Sequence, residues 1–311
     1  MERPIIRGAN GMVEPDLPEY SAKKTTWRNY VTLTKPGINA SNLMAAFTGF
    51  WLAGRGEIDP LLLLATLLGT ALVIAGGCAL NNVIDRDIDP LMSRTQKRPV
   101  AGGEIRPMAA LWFGIGLTVV GFAVLAVLVN PLAAFLSMIG HFVYVGIYSL
   151  WLKRTTTLNT VIGGISGAVP PMIGWVAVTG SIDPPAWVLF IFMFLWQPPH
   201  FLALAMRKAE DYRAAGVPML PVVRGFAEAK RQNLLYVAAM VPASLLLVQM
   251  GVVGLLYLIV ATVLGLVYIG LSLEGLFTKD DNRWARRMFV YSLVYLTVML
   301  LVMIVDPLLT F

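Results

Sequence analysis

The chain has 311 residues, 57% of them hydrophobic and only 14% charged, and its mean hydropathy is +0.72. A soluble domain of this size cannot bury so much apolar surface, so the composition points to a helical membrane protein. A single cysteine excludes an intrachain disulfide, two histidines argue against a multi-histidine metal centre, and the formal charge of +6 is explained below by its distribution rather than by nucleic acid.

Residues 1–33 mix Glu2, Glu14, Asp16 and Glu19 with basic residues. That is neither a secretory signal nor an acid-poor transit peptide, and it reads as a cytoplasmic tail ahead of one domain over 34–311. Apolar stretches of roughly 20 residues, enough to cross the hydrocarbon core, recur near 36–54, 61–83, 108–129, 131–152, 158–179, 186–205, 232–250, 252–275 and 287–305. The predicted fold is all-α, a polytopic bundle of about nine transmembrane helices. Asp59-Pro60, Asn130-Pro131 and Asp183-Pro184-Pro185 mark turns between them, while the break between the seventh and eighth rests on Gly251 and Gly254. In helix one, Lys35-Pro36-Gly37 precede Asn39, Ser41 and Asn42. Asn42 lies within the hydrocarbon zone and is expected to bond a neighbouring helix.

All but one of the 24 lysines and arginines fall in the tail or in the loops after helices two, four, six and eight; the exception is Arg55. Basic loops stay in the cytoplasm. The N-terminus is therefore expected inside and the C-terminus outside, in a cell inner (plasma) membrane. The basic residues serve orientation, lipid headgroups and an anionic ligand, which leaves no role for nucleic acid. The two long polar loops, 84–107 and 206–231, then share the cytoplasmic side, where any chemistry is expected.

The first loop opens GGCALNNVIDRDIDPLMSRTQKRPVAGGEI, residues 76–105. Asn81, Asp85 and Asp89 are spaced by four, which on a helix sets them on one face over about 12 Å; Asp87 points elsewhere. Pro90 puts Asp89 at the helix end. Two carboxylates and an amide at the mouth of a membrane bundle are costly without a partner, and such oxygen ligands suit Mg²⁺ bridging to phosphate. Arg94, Lys97 and Arg98 follow directly and could grip phosphate oxygens. The pattern reads as metal-dependent ionisation of a lipid diphosphate; the plainer reading is that acids and bases simply pair at a helix end. On the metal reading, Asp85→Asn should lower activity by at least about a hundredfold and leave folding intact. Cys78, one turn from Asn81, reads as a small buried apolar residue.

Asn81-x-x-x-Asp85-x-x-x-Asp89 resembles the first acidic motif of the UbiA-type intramembrane prenyltransferases. The continuation Met92-Ser93-Arg94-Thr95-x-x-Arg98-Pro99 is similar to the heme O synthase branch of that superfamily. More specific still is the string over 195–225, LWQPPHFLALAMRKAEDYRAAGVPMLPVVRG. So is Gly163-Gly164-x-x-Gly167-Ala168-x-Pro170-Pro171-x-x-Gly174-Trp175, where the prolines are expected to interrupt regular helix. The position four after Asp211 is Ala215, where quinone-forming relatives carry a second acid; that departure fits the heme branch and weakens a symmetric second metal site.

The resemblance implies the nine-helix fold and transfer of a farnesyl group from farnesyl diphosphate to a vinyl group of protoheme IX, with Mg²⁺ or another divalent cation. It implies Asp85, Asp89 and Asp211 as catalytic acids, and Asn81, Asp85, Asp89 and Asp211 as metal ligands, with Glu210 as the fallback for Asp211. It implies Arg94, Lys97, Arg98, Tyr148 and Lys153 on the diphosphate. Tyr148 and Lys153 read equally well as anchors at the membrane edge. His200, after Pro198-Pro199, is expected at the heme, as axial ligand or propionate partner; its plainer role is to satisfy carbonyls freed by those prolines. His141 sits in the outer half of helix four. The resemblance leaves open a handover to a heme A synthase or an oxidase-assembly protein. The rival in the same class is a prenyltransferase acting on a quinone precursor, and the rival outside it is a transporter.

Overall fold

The structure, a computed structural model, describes residues 25–310. Most of the expected tail, residues 1–24, lies outside the described residues. Among the described residues there is no strand. A short helix, Trp27–Leu33, precedes nine long ones: α1 (Pro36–Ala53), α2 (Pro60–Ile84), α3 (Pro107–Val129), α4 (Pro131–Thr155), α5 (Asn159–Thr179), α6 (Pro184–Arg207), α7 (Gly225–Gln249), α8 (Leu255–Phe277) and α9 (Asp281–Leu309). Five of them, α1 to α4 and α6, begin with proline, whose fixed φ and missing N–H suit a first helical position. The turn signals act as caps: the Asp59 carboxylate accepts from Leu61 and Leu62 N–H, and the Asn130 amide oxygen accepts from Ala133 N–H.

Among the described residues the eight helices α2 to α9 are long and apolar enough to cross a membrane, so this is a multi-pass membrane protein. The ninth expected span, α1, is 18 residues long, about 27 Å. Its first turns are too polar to count by composition, and they satisfy those groups locally. Asn42 and Ser41 bond the Ile38 carbonyl of their own helix, and Asn39 reaches the Ala71 carbonyl of α2. The inter-helix bond expected of Asn42 is thus made by Asn39 instead. Helices α7 and α9 start several residues before their apolar runs. Their polar first turns are held by Glu228–Arg231, Lys230–Asp281 and Arg287–Glu274 ion pairs.

Helices α5 and α6 are the most buried. Around α5 pack α1 and α4, with α2 and α3 paired beside them; around α6 pack α7 and α9, with α8 outside. The ring closes where Trp51 Nε1 of α1 donates to the Ile304 carbonyl of α9 (2.9 Å). Small residues set the closest approach. A Cβ at Gly49 would lie 1.9 Å from the Pro171 oxygen, and one at Gly174 1.9 Å from the Ala46 oxygen, so only glycine lets α1 and α5 meet. The buried prolines do not interrupt α5 or α6 as the sequence led one to expect. Side-chain donors around them take up backbone carbonyls: Gln197 bonds the Gly164 and Met193 oxygens, and Asn233 the Pro199 oxygen.

The loop over 85–106 and the connection over 208–224 meet at one end of the bundle. Ser93 Oγ donates to the Asp211 carboxylate (2.9 Å to each oxygen), and Asn159 Nδ2 reaches the Pro218 carbonyl (3.5 Å).

Candidate functional site

Helix α2 ends at Ile84, earlier than the four-residue spacing implied. Asp85 is its C-cap, and Asp89 opens a separate 3₁₀ turn, Asp89–Leu91. Pro90 disfavours continued helix at Asp89. The spacing of four survives in bonds instead of in one helix face. The Asn81 amide donates to Asp85 Oδ2 (2.8 Å), and Asp89 N–H donates to the Asp85 carbonyl (2.8 Å). Asp85 and Asp89 are both fully buried.

Three cations face this pair. Lys153 Nζ lies 2.5 Å from Asp85 Oδ2. Arg98 Nη1 donates to both Asp89 oxygens at 2.9 Å and lies 3.7 Å from Asp85 Oδ2. Lys35 Nζ donates to Asn81 Oδ1 (2.7 Å) and lies 3.4 Å from the Tyr144 hydroxyl. Asn81 also donates to Ser149 Oγ (3.0 Å), which in turn donates to the Tyr144 carbonyl (2.8 Å). Burial brings the Lys35 ammonium down to about 8. Burial pushes the Asp89 carboxyl above the usual carboxylate range, against the pull of Arg98.

Acids and bases thus do pair at the helix end, which is the geometry of the plainer reading. Two observations ask for more. Three cations against two carboxylates leave a positive surplus, and Arg94 and Lys97 stand exposed on the same loop. Such a surplus at the mouth of a bundle is a place for an anion. In addition, Asp85 Oδ1 is buried with no hydrogen-bond partner. Among the described residues no group of three or more His, Cys, Asp or Glu gathers around a metal position. A divalent ion here would take two carboxylates, an amide and the oxygens of its ligand, which is the donor set Mg²⁺ prefers beside phosphate.

The other expected residues are scattered more widely. Lys153 is buried and turned inward onto Asp85, so it is not an outward anchor. Tyr148 stacks on Tyr144 (centroids 6.1 Å apart, planes at 12°) on the π-helical end of α4, Val143–Leu152. Asp211, on the short helix Ala209–Ala214, bonds Ser93 and lies 3.8 Å from Lys208; Glu210 pairs outward with Arg213. No hydrogen bond or ion pair joins Asp211 to Asp85 or Asp89 among the described residues. His200 lies elsewhere. Its ring is sandwiched between Trp196 (4.8 Å) and Phe289 (4.7 Å), and Nδ1 meets Ser292 Oγ at 2.8 Å. Its hydrogen bond goes to a side chain, so it does not take up the carbonyls freed by Pro198 and Pro199. Cys78 is buried as expected, and His141 packs edge-on against Phe122 (5.8 Å).

The site also draws in residues to which the sequence gave no role. Among the described residues Lys35 is one of two non-glycine residues with positive φ (48°), the other being Arg55. That strained backbone ahead of Pro36 aims its side chain at Asn81. A lysine directly before a proline at a membrane-helix start was the available signal. Tyr144 and Ser149 have no local signature, since their roles arise only from the π-helical winding. Asp87, passed over as pointing elsewhere, takes both terminal nitrogens of Arg154, Nη1 at 2.6 Å and Nη2 at 2.7 Å, and this guanidinium holds its carboxyl below the usual range.

Comparison with known proteins agrees with this geometry. A family model described as UbiA prenyltransferase family matches residues 42–294. A protein named protoheme IX farnesyltransferase from Alkalihalophilus pseudofirmus is 50% identical over 296 residues, covering 94% of each chain. In fold, the chain is similar to a digeranylgeranylglyceryl phosphate synthase (TM-score 0.77, 21% identity, 90% of this chain and 98% of that one). It is also similar to a UbiA homolog from Archaeoglobus fulgidus bound to GPP and Mg²⁺ (TM-score 0.62, 17% identity, 89% of this chain and 99% of that one).

Proposed function

Because the chain belongs to the UbiA prenyltransferase family, we propose that it transfers the farnesyl group of farnesyl diphosphate to a vinyl group of protoheme IX. The observation that carries this reading is the 50% identity, over nearly the whole of both chains, to a protoheme IX farnesyltransferase. The C1–O bond of farnesyl diphosphate breaks and C1 bonds the outer vinyl carbon. Water adds its hydroxyl to the neighbouring carbon and releases a proton, leaving a hydroxyethylfarnesyl heme and diphosphate.

In this reading Lys35, Arg94, Lys97, Arg98 and Lys153 take phosphate oxygens, and Tyr148 lies beside them. Asn81, Asp85 and Asp89 would hold Mg²⁺ or another divalent cation, with Asp211 contributing from the second loop. When bound, that ion neutralises charge growing on the leaving diphosphate. The bundle interior keeps water from the allylic cation, and aromatic faces such as Tyr144 and Tyr148 favour positive charge. A role for His200 at protoheme rests on the resemblance. With both ring faces covered and Nδ1 at Ser292, only its remaining edge could serve.

The polar end faces the cytoplasm, as the basic loops require, and of the expected tail the helix Trp27–Leu33 packs onto the bundle through the buried Leu33. In a Cys78→Ala background, single cysteines in 84–107 or 206–231 should resist an impermeant reagent added outside intact cells, and one near residue 182 should react. Labelling of either long loop would reverse the orientation. The activity itself is tested with purified protein, protoheme, farnesyl diphosphate and Mg²⁺. The heme mass should rise by one farnesyl group and one hydroxyl, with release of diphosphate. No mass change with protoheme, and consumption of farnesyl diphosphate with a quinone precursor instead, would transfer the chain to the other branch.

A further inference from the structure

Three acids follow the end of α2 at alternate positions. Asp85 and Asp89 turn into the bundle, and Asp87 turns out. Its partner Arg154 directly follows Lys153 at the end of α4, and consecutive residues of one helix therefore reach consecutive acids of another. Lys153 meets Asp85 on the inner side, and Arg154 meets Asp87 on the outer side.

The Arg154 contact is more than an ion pair. Its two terminal nitrogens fork onto the two Asp87 oxygens, and Nη2 also donates to the Ile84 carbonyl (2.9 Å). Ile84 is the last residue of α2, and its carbonyl is one of those a helix end leaves without a partner. Arg154 thus caps α2 from another helix while its fork fixes the first turn beyond. A lysine could supply the charge but not this planar three-bond grip. With side chains 31% and 45% exposed, the pair adds little to folding on its own. What it fixes is register, since the end of α4 is π-helical up to Leu152 and so is not the stiffest support for Lys153.

We propose that Asp87 and Arg154 are positioning residues of the acidic site: they lock the end of α4 to the end of α2 and thereby hold Lys153, Asp85 and Asp89 in the arrangement that receives the cation and the diphosphate. This rests on the site reading given above. It predicts that loss of the pair loosens ligand binding without unfolding the protein, as removal of groups that orient metal ligands does.

The test uses the full chain in detergent, with Mn²⁺ as the probe followed by electron paramagnetic resonance in the presence of farnesyl thiodiphosphate. Arg154→Gln and Asp87→Asn should each weaken Mn²⁺ binding about tenfold, with the melting temperature unchanged. The double variant should be no worse than either single one, because the two act as a unit. Arg154→Lys should not restore binding. Unchanged Mn²⁺ affinity in the singles, additive losses in the double, or full rescue by Arg154→Lys overturns the proposal. If Arg154→Gln does not fold, Asp87→Asn alone carries the same comparison. Asp85→Asn is the control. Loss of Mn²⁺ there with retention in both clamp variants rejects the clamp and leaves the site standing; retention in Asp85→Asn rejects both.

Discussion

The loop over 85–106 and the connection over 208–224 lie at the same end of the bundle and touch through Ser93 and Asp211, yet they hold their acids differently. In the first, Asp85 and Asp89 are fully buried and answered by Lys153 and Arg98, and their neighbour Asn81 is bonded to Lys35. In the second, Asp211 is partly open to water and is held by a serine and a more distant lysine, while Glu210 points away. A buried carboxylate must be paired or ligated, whereas an open one need not be. The first loop therefore commits its carboxylates to cations of the protein itself, with Asp85 Oδ1 left unpartnered. The second reads as a cover tied to it, and a symmetric pair of metal sites is not what the geometry offers.

The largest expected effect tests the committed loop. Asp85→Asn should lower turnover by at least about a hundredfold, as loss of a main electrostatic group does, and near-normal turnover would remove the metal assignment. The sequence alone implied that folding would be untouched, but the structure changes that. The substitution strands Lys153, which is buried, and breaking such a pair costs about 3 kcal/mol or more. Asp85→Asn should therefore melt earlier in detergent, and Asp85→Asn with Lys153→Met should regain the melting temperature without regaining activity.

Next in size is Lys35→Met, which removes a charged donor to Asn81 and should weaken farnesyl diphosphate binding roughly tenfold. Lys97→Met, at an exposed position, should change it less than about threefold. Equal losses at the two would mean that loop charge, and not the buried arrangement, attracts the ligand. Asp211→Asn should cost roughly fivefold, the worth of one ordinary, partly exposed hydrogen bond, and Ser93→Ala should reproduce most of it. A hundredfold loss at Asp211 would make the two loops equal partners. Smallest is His200→Ala: a few-fold loss of heme affinity by absorption spectroscopy, a lower melting temperature from the broken Trp196–His200–Phe289 stack, and unchanged diphosphate binding. An unchanged heme spectrum would leave His200 as packing.

Most of the helices were legible because apolar length announces them, and five of the nine also start on a proline. The acidic motif was legible because its residues are close in sequence. What escaped were partners brought from afar. Lys35 meets Asn81 across 46 positions and Lys153 meets Asp85 across 68, and neither pairing has a local period. Arg98, expected on phosphate, also bonds Asp89 nine residues before it, a pairing the sequence did not announce. His200 was read from its place beside two prolines, but its environment is set by Phe289 and Ser292 of the last helix.

Residues Val143–Leu152 wind with more residues per turn than an ordinary α-helix. Ser149 closes one of these wide turns on the Tyr144 carbonyl, five residues back. Everything after this stretch inherits the phase it sets. Deleting one residue within it would swing Lys153 and Arg154 around the helix axis by somewhat less than the ~100° that a residue turns in an α-helix, taking one from Asp85 and the other from Asp87. The residue count of this segment is thus a constraint in its own right, beside the chemistry of Tyr144, Tyr148 and Ser149, because a change in count acts on two contacts at once.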